Sequence, residues 1–204
     1  MIRSAVKIPI NVAVAVSGGP DSMAALDFIR RGRKKVTALH FNHGTSFSDS
    51  AENIVIEYCN KYDVEIKLGR LQSKPKPGES LENFWRIERY KFFNSVTDLP
   101  IITCHHLDDA VENWIFTSFH GNPMMIPLKR DQFLRPFLLT TKDTLIDWCD
   151  RKSVPYIHDP SNSDISFMRN FIRHEVIYKV KLVNPGINKV IKKKIFEMQK
   201  LLIN

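Results

Sequence analysis

Val12-Ala13-Val14-Ala15-Val16 runs without a break into Ser17-Gly18-Gly19-Pro20-Asp21-Ser22. Five small or β-branched apolar residues in a row read as a strand buried on both faces, the habit of a parallel sheet. After the glycines, Met23, Leu26 and Ile29 recur at helical spacing and Gly32 marks the end of the helix. A loop between a buried strand and a helix start brings backbone N–H groups and the positive end of a helix dipole to one place. Gly18 and Gly19 remove the Cβ atoms that would keep a ligand away, and Ser17 and Ser22 add hydroxyls. That is a cradle for phosphate oxygens. It is not the Walker loop, because the lysine of G-x-x-x-x-G-K-[ST] is missing.

Outward from this loop the same unit repeats. Residues 36–41 read as a second strand, followed by a helix with Ala51, Ile54, Val55, Tyr58 and Tyr62 on one face. Residues 64–68 alternate as a third, outer strand. Lys74-Pro75-Lys76-Pro77-Gly78 is a turn, and Ser80 caps a helix that carries Leu81, Phe84, Trp85 and Phe92. A fourth strand is expected over residues 100–104 and a helix over about 105–119. The rhythm predicts a doubly wound α/β fold with a mainly parallel sheet of about five strands. It also predicts two parts, an α/β core over residues 1–135 and a helical, basic part over 136–204. In such a sheet the ligand lies beyond the carboxyl ends of the strands, where residues 17–22, 40–44 and 104–109 fall.

Bulk properties narrow the partners. The formal net charge is +8, which favours a polyanion, and most of it sits after residue 168, where Arg and Lys far outnumber Glu175 and Glu197. Cys59, Cys104 and Cys149 form no C-x-x-C pair, which argues against a zinc ribbon, an iron–sulfur cluster or dithiol chemistry. No apolar run approaches ~18 residues, and Arg3, Lys7 and Pro9 break the N-terminal stretch too early for a signal peptide. A cytoplasmic location is expected.

Two more constellations carry chemistry. In His105-His106-Leu107-Asp108-Asp109-Ala110-Val111-Glu112, helical steps of four and three place His105, Asp109 and Glu112 on one face. Two carboxylates and an imidazole there can hold Mg²⁺ against phosphate and accept a proton. Residues 159–175, Asp-Pro-Ser-Asn-Ser-Asp-Ile-Ser-Phe-Met-Arg-Asn-Phe-Ile-Arg-His-Glu, form a polar loop that leads Arg169 and Arg173 into the basic end.

The loop S-G-G-x-D-S resembles that of the PP-loop ATP pyrophosphatases, and the whole ordered set resembles tRNA(Ile)-lysidine synthetase in its N-terminal catalytic domain. The set comprises S-G-G-P-D-S at Ser17, H-F-N-H-G at His40, L-E-x-x-x-R-x-x-R-Y from Leu81 to Tyr90, H-H-x-D-D-x-x-E at His105, R-P at Arg135, and the D-P-S-N-x-D-x-x-F-x-R-N-x-I-R run at Asp159. The resemblance implies a ligase that uses ATP to adenylate the wobble cytidine of an isoleucine tRNA with a CAU anticodon. The amine of free lysine then displaces AMP to give lysidine. It assigns ATP contacts to residues 17–22, His43 and Arg86, and Mg²⁺ to Asp21, Asp109 and Glu112. Asp21, His105, Asp109 and Glu112 become catalytic, and Arg89, Asn162, Arg169, Asn170 and Arg173 face the tRNA. Thr45-Ser46 replace the Leu-Arg common after H-x-N-H-G, Asn113 stands where a Thr is usual, and residues 121–135 lack a glycine-rich loop. A tRNA-thiolating relative would need paired cysteines, which the spacing does not offer. A non-catalytic ATP- or RNA-binding relative is the other alternative.

Overall fold

The computed structural model describes residues 1–203, without the side chains of residues 161, 162 and 203. Its sheet has strands β1 (Asn11–Ala15), β2 (Lys35–Asn42), β3 (Glu65–Arg70), β4 (Ile101–Ile102), β5 (Lys129–Arg130) and β6 (Phe133–Leu134), ordered β3-β2-β1-β4-β6-β5. All neighbours are parallel except β5 and β6. β1 is the pivot: Val14 pairs with Ala38 of β2 on one side and with Ile102 of β4 on the other. From β1 the chain winds outward to β3, then returns to β4 on the opposite side. The β1–β4 border is therefore the switch point of the sheet.

Helices cover both faces. Helix α1 (Pro20–Arg31) follows β1, α2 (Ser46–Lys61) follows β2, α3 (Leu81–Val96) follows β3 and α4 (Leu107–Phe119) follows β4. On one face Val12 and Val14 pack with Met23, Leu26, Val55 and Tyr58 of α1 and α2, while Ala13 on the other face joins Leu39, Phe93 and Ile101. Burying both sides of β1 explains its unbroken apolar run. Among the described residues the sheet has six strands, one more than expected. The two strands that the sequence pattern does not place lie in residues 121–135, and at two residues each they are too short to show any periodicity.

The second half of the chain joins the same core. Helix α5 (Lys142–Lys152) lays Leu145 and Cys149 against α1, together with Phe137 from the preceding 3-10 turn Pro136–Leu139. Beyond it, α6 (Met168–Phe171), a π turn (Ile172–Val176) and α7 (Ile177–Val183) form one continuous helical run, followed by α8 (Ile187–Ile203). Helix α8 packs Ile187, Ile191 and Ile195 against Leu107, Val111 and Ile115 of α4.

One buried carboxylate ties three helices together. Asp27 of α1 is 0% exposed and accepts hydrogen bonds from Arg30, Arg31, the Tyr58 hydroxyl of α2 and the Trp148 indole of α5, at 2.6–2.8 Å. Burial works against its charge, but these four donors outweigh it and hold the carboxyl below its ordinary value. Asp27→Asn keeps the shape and loses the charge, so the protein is expected to lose about 3 kcal/mol, read from the urea unfolding midpoint. A depressed carboxyl stabilises the fold fully above the unfolded value near pH 4 and ceases to do so as pH falls through the folded value. The gap between wild type and Asp27→Asn should accordingly hold steady from pH 6 to 8 and narrow below about pH 4.

Candidate active site

The loop after β1 turns at Gly18, whose φ of +84° suits glycine, and a Cβ there would stand 2.9 Å from the Cβ of Ala51. Gly19 is the N-cap of α1 and makes no side-chain cap, while Pro20 fills the first helical position. The amides of Asp21 and Ser22 thus belong to the first turn, where no intrahelical carbonyl reaches them. Ser22 braces the loop: its Oγ accepts from the Ser17 amide at 3.0 Å and donates to the Gly19 carbonyl at 3.0 Å. Its hydroxyl is spent inside the loop, and Ser17 is the exposed hydroxyl of the pair. The chain after α5 lies across this turn, with the Ile157 amide donating to the Gly18 carbonyl at 3.0 Å. His40 fixes the end of β2 to the same place, its Nδ1 2.8 Å from the Val16 carbonyl.

Across the switch point stands the start of α4. The helix begins at Leu107, two residues later than the sequence spacing suggests, and His106 is its N-cap. Asp109 closes a capping box: its Oδ2 accepts from the His106 amide at 2.9 Å, and its own amide donates to His106 Nδ1 at 3.3 Å. With Nδ1 accepting, the ring proton sits on Nε2, which lies 3.4 Å from Asp109 Oδ2 and 3.7 Å from Asp21 Oδ2. His106 is therefore the imidazole between the two carboxylates. Burial opposes its charge, yet Asp109, Asp21 and Asp108 prevail and raise it above the usual histidine value. Asp109 is correspondingly lowered: burial is outweighed by His106, His105 and Arg173.

His105 does not share the helical face of Asp109 and Glu112, because it precedes the helix and bonds Thr103 Oγ1 through Nδ1 at 3.0 Å. Burial, with Arg135 and Arg169 nearby and Asp109 opposing, pushes it down to about 4. It is a neutral and weakly basic ring. Asp108 turns away and accepts from the Lys142 amide at 2.8 Å, which anchors the start of α5.

Glu112 is 1% exposed and faces the C-terminal helices. Arg173 donates to its Oε2 from Nη2 at 2.7 Å and from Nε at 3.0 Å, and also reaches Asp109 Oδ1 at 3.4 Å. Arg169 adds an ion pair to Glu112 at 3.7 Å and a hydrogen bond to Asn113 at 3.3 Å. Arg173 projects from the π turn, a local widening of the helix found often at functional sites. Burial raises the Glu112 carboxyl although Arg173 pulls the other way. The expected Mg²⁺ set of Asp21, Asp109 and Glu112 is thus divided. Glu112 serves the arginines, while Asp21, with a buried Oδ1 that lacks a hydrogen-bond partner, and Asp109 face the loop. Among the described residues no three side chains form a ready metal cage. Two carboxylates beside a phosphate loop still fit Mg²⁺, which binds through one or two carboxylates and substrate phosphates.

His43 follows β2 and stacks at 5.2 Å on Trp85 of α3, with its Nδ1 buried and unpartnered; burial, Arg89 and His40 push it down to about 4. Arg86 sits 5.8 Å from the Tyr90 ring. Asn170 donates to the Asp164 carbonyl at 2.9 Å. The side chain of Asn162 lies outside the described residues. Two residues went unassigned in the sequence. His106 leaves little trace in the sequence because histidine is an unusual N-cap, although the Asp three residues on is a capping-box signal. Arg135, in the R-P pair, is 6% exposed and donates to the Pro127 carbonyl at 2.9 Å.

The Glu112–Arg173 pair invites a double-mutant cycle. Arg173→Ala leaves a buried carboxylate short of its main partner and should cost about 3 kcal/mol in urea unfolding. Combining it with Glu112→Gln should recover at least half of that, giving a coupling energy of about 1.5 kcal/mol or more.

A family model described as the PP-loop domain matches residues 5–180. The tRNA(Ile)-lysidine synthase of Thermotoga sp. (strain RQ2) is 30% identical over 193 residues, covering 87% of this chain and 47% of that protein. The tRNA(Ile)-lysidine synthase of Staphylococcus aureus (strain MRSA252) is 32% identical over 186 residues, covering 82% and 43%. The chain therefore spans less than half the length of these curated relatives. In fold it is similar to the NH3-dependent NAD synthetase from Campylobacter jejuni, solved in complex with the nitrate ion, at a TM-score of 0.52 and 15% identity, covering 94% of this chain and 86% of that one. With the glycine loop, the switch-point crevice and a match over most of its length in agreement, the chain belongs to the PP-loop domain family.

Proposed function

We propose that the protein is an ATP-dependent ligase that joins free lysine to C2 of the wobble cytidine in an isoleucine tRNA with a CAU anticodon, releasing AMP and pyrophosphate. The observation that carries this reading is convergence. The glycine loop, the His106–Asp109 cap, and Glu112 with Arg169 and Arg173 lie far apart in sequence and meet at one crevice. The likeness to the lysidine synthases supports the choice among tRNA modifications.

Each group has a role that its surroundings suit. The open amides of Asp21 and Ser22, with Gly18 and Gly19, would hold the phosphates of ATP. Asp21 and Asp109 would share Mg²⁺. When bound, ATP supplies the adenylyl group that turns a poor leaving oxygen on the pyrimidine into a good one. His106, whose ring Nε2–H lies between two carboxylates that raise it above the usual histidine value, would present a hydrogen-bond donor where negative charge gathers on phosphate. His105 stays neutral at pH 7, as a proton acceptor must, and stands beside the carboxylate that opposes its low value. The arginines anchor the C-terminal helices to the crevice.

Sulfur chemistry fits poorly. Burial pushes the Cys59 thiol up to about 11 and the Cys149 thiol up to about 12, and it raises Cys104 as well, so none is poised as a thiolate. Among the described residues no helix is long and apolar enough to cross a membrane.

Incubation with ATP, Mg²⁺, radiolabelled lysine and a CAU-anticodon isoleucine tRNA transcript tests the reading. Lysine should enter the RNA, and Asp21→Ala or Asp109→Asn should reduce the rate by about 10²-fold or more while circular dichroism stays unchanged. Tight tRNA binding with no incorporation by the wild-type chain would overturn it in favour of a non-catalytic relative.

A further inference from the structure

Residues 168–203 carry nine Lys or Arg against two Glu, so seven of the eight net positive charges of the chain lie in its last helices. Arg169 and Arg173 are engaged at the crevice. The lysines of α8 are not: among the described residues, Lys189, Lys192, Lys193, Lys194 and Lys200 make no ion pair, and Glu197 is the one acid on that helix.

Helical geometry sorts these side chains. At 100° per residue, Lys189, Lys193, Phe196 and Lys200 fall within about 60° of one another, opposite the buried Ile187, Ile191 and Ile195. All four are exposed, Phe196 by 46%. The stripe is about 16 Å long, from eleven steps of 1.5 Å rise, with an aromatic ring set among three ammonium groups. It runs along a helix packed on α4, whose first turn carries Asp109; axes in such contact lie about 8–10 Å apart.

We propose that this stripe of α8 is a docking surface for the phosphate backbone of the RNA substrate, which supplies affinity and takes no part in the chemistry; the identity of that RNA rests on the function proposed above. Three point charges without acid partners suit a line of phosphates, and an exposed ring among them suits a stacked base. An anionic membrane is the weaker match, because an interfacial helix inserts its apolar face, and here that face is already buried on α4.

The test measures anisotropy of a fluorescent tRNA transcript titrated with the full chain at several salt concentrations. The triple variant Lys189→Gln, Lys193→Gln, Lys200→Gln should weaken binding about tenfold or more near 0.1 M salt. It should also reduce the slope of log affinity against log salt by about 2, with affinity for ATP unchanged. Glu197→Gln should strengthen binding about twofold. A control triple at exposed lysines elsewhere, Lys35→Gln, Lys61→Gln, Lys152→Gln, should change both quantities little. Unchanged affinity and slope in the α8 variant would overturn the proposal, as would an equal loss in the control. So would a loss confined to phosphatidylserine vesicles. Absence of lysine incorporation by the wild type, with the slope change intact, would remove the proposed reaction and leave the docking surface standing.

Discussion

The parallel pairing of β1 with β4 is the constraint on which the molecule depends. Because the two strands point the same way and their connections leave in opposite directions, both carboxyl ends open into one crevice that no crossover covers. The turn after β1 must be tight enough to start α1 at once, so Gly18 takes a positive φ against Ala51. The turn after β4 starts α4 on His106. Two helix N-termini thus face the same space, and their dipoles favour anions there. Asp21 and Asp109 sit in these first turns because their charge is stabilised by the helix as well as by His106.

Charge compensation then links the crevice to the far end of the chain. Asp109 and Glu112 cannot both remain ionised in a buried site without compensating donors, and within the protein those are the His106 ring N–H, Arg173 and Arg169. Since Arg173 comes from the π turn, the last helices are held to the site by the same interaction that neutralises it. Asp27 performs the matching task behind the sheet, where it draws α1, α2 and α5 onto one carboxylate. The protein relies on two buried acids with several donors each, one beneath the loop's helix and one beside the crevice.

What the sequence revealed follows from the range of each signal. The β1 run, the glycine turn, and the Ser80 and Gly32 caps are local patterns, and the structure places strand, loop and helix where they say. Strands β5 and β6 escaped because two residues show no period; β6 exists through pairing with β4, and β5 through pairing with β6. His105 and His106 are neighbours, and a helix start two residues later than the spacing suggests puts His106 beside Asp109 and leaves His105 before the helix. On α8 the apolar residues at helical spacing do not all pack: Ile187, Ile191 and Ile195 are buried, whereas Val190 is 40% and Leu202 53% exposed. Asp27 reads as an ordinary polar helix position, and the partner of Glu112 lies 61 residues away. Long-range pairing of charges leaves no local trace.

The layout also separates holding from reacting. Asp21 and Asp109 at the crevice, with buried Glu112 behind them, would repel a polyanion if those charges were uncompensated, yet Arg173, Arg169 and the His106 ring N–H offset much of their field at short range. What remains at distances near a Debye length, about 10 Å at 0.1 M salt, is the excess of lysines on the outer helices. A polyanion approaching from solution therefore meets attraction first and the buried acids last. Since those acids are screened by partners rather than by solvent, their arrangement persists at salt concentrations that weaken the lysine field. On the proposed docking of RNA along α8, raising salt should slow its capture more than it alters the crevice, because the first depends on exposed charges and the second on buried pairs.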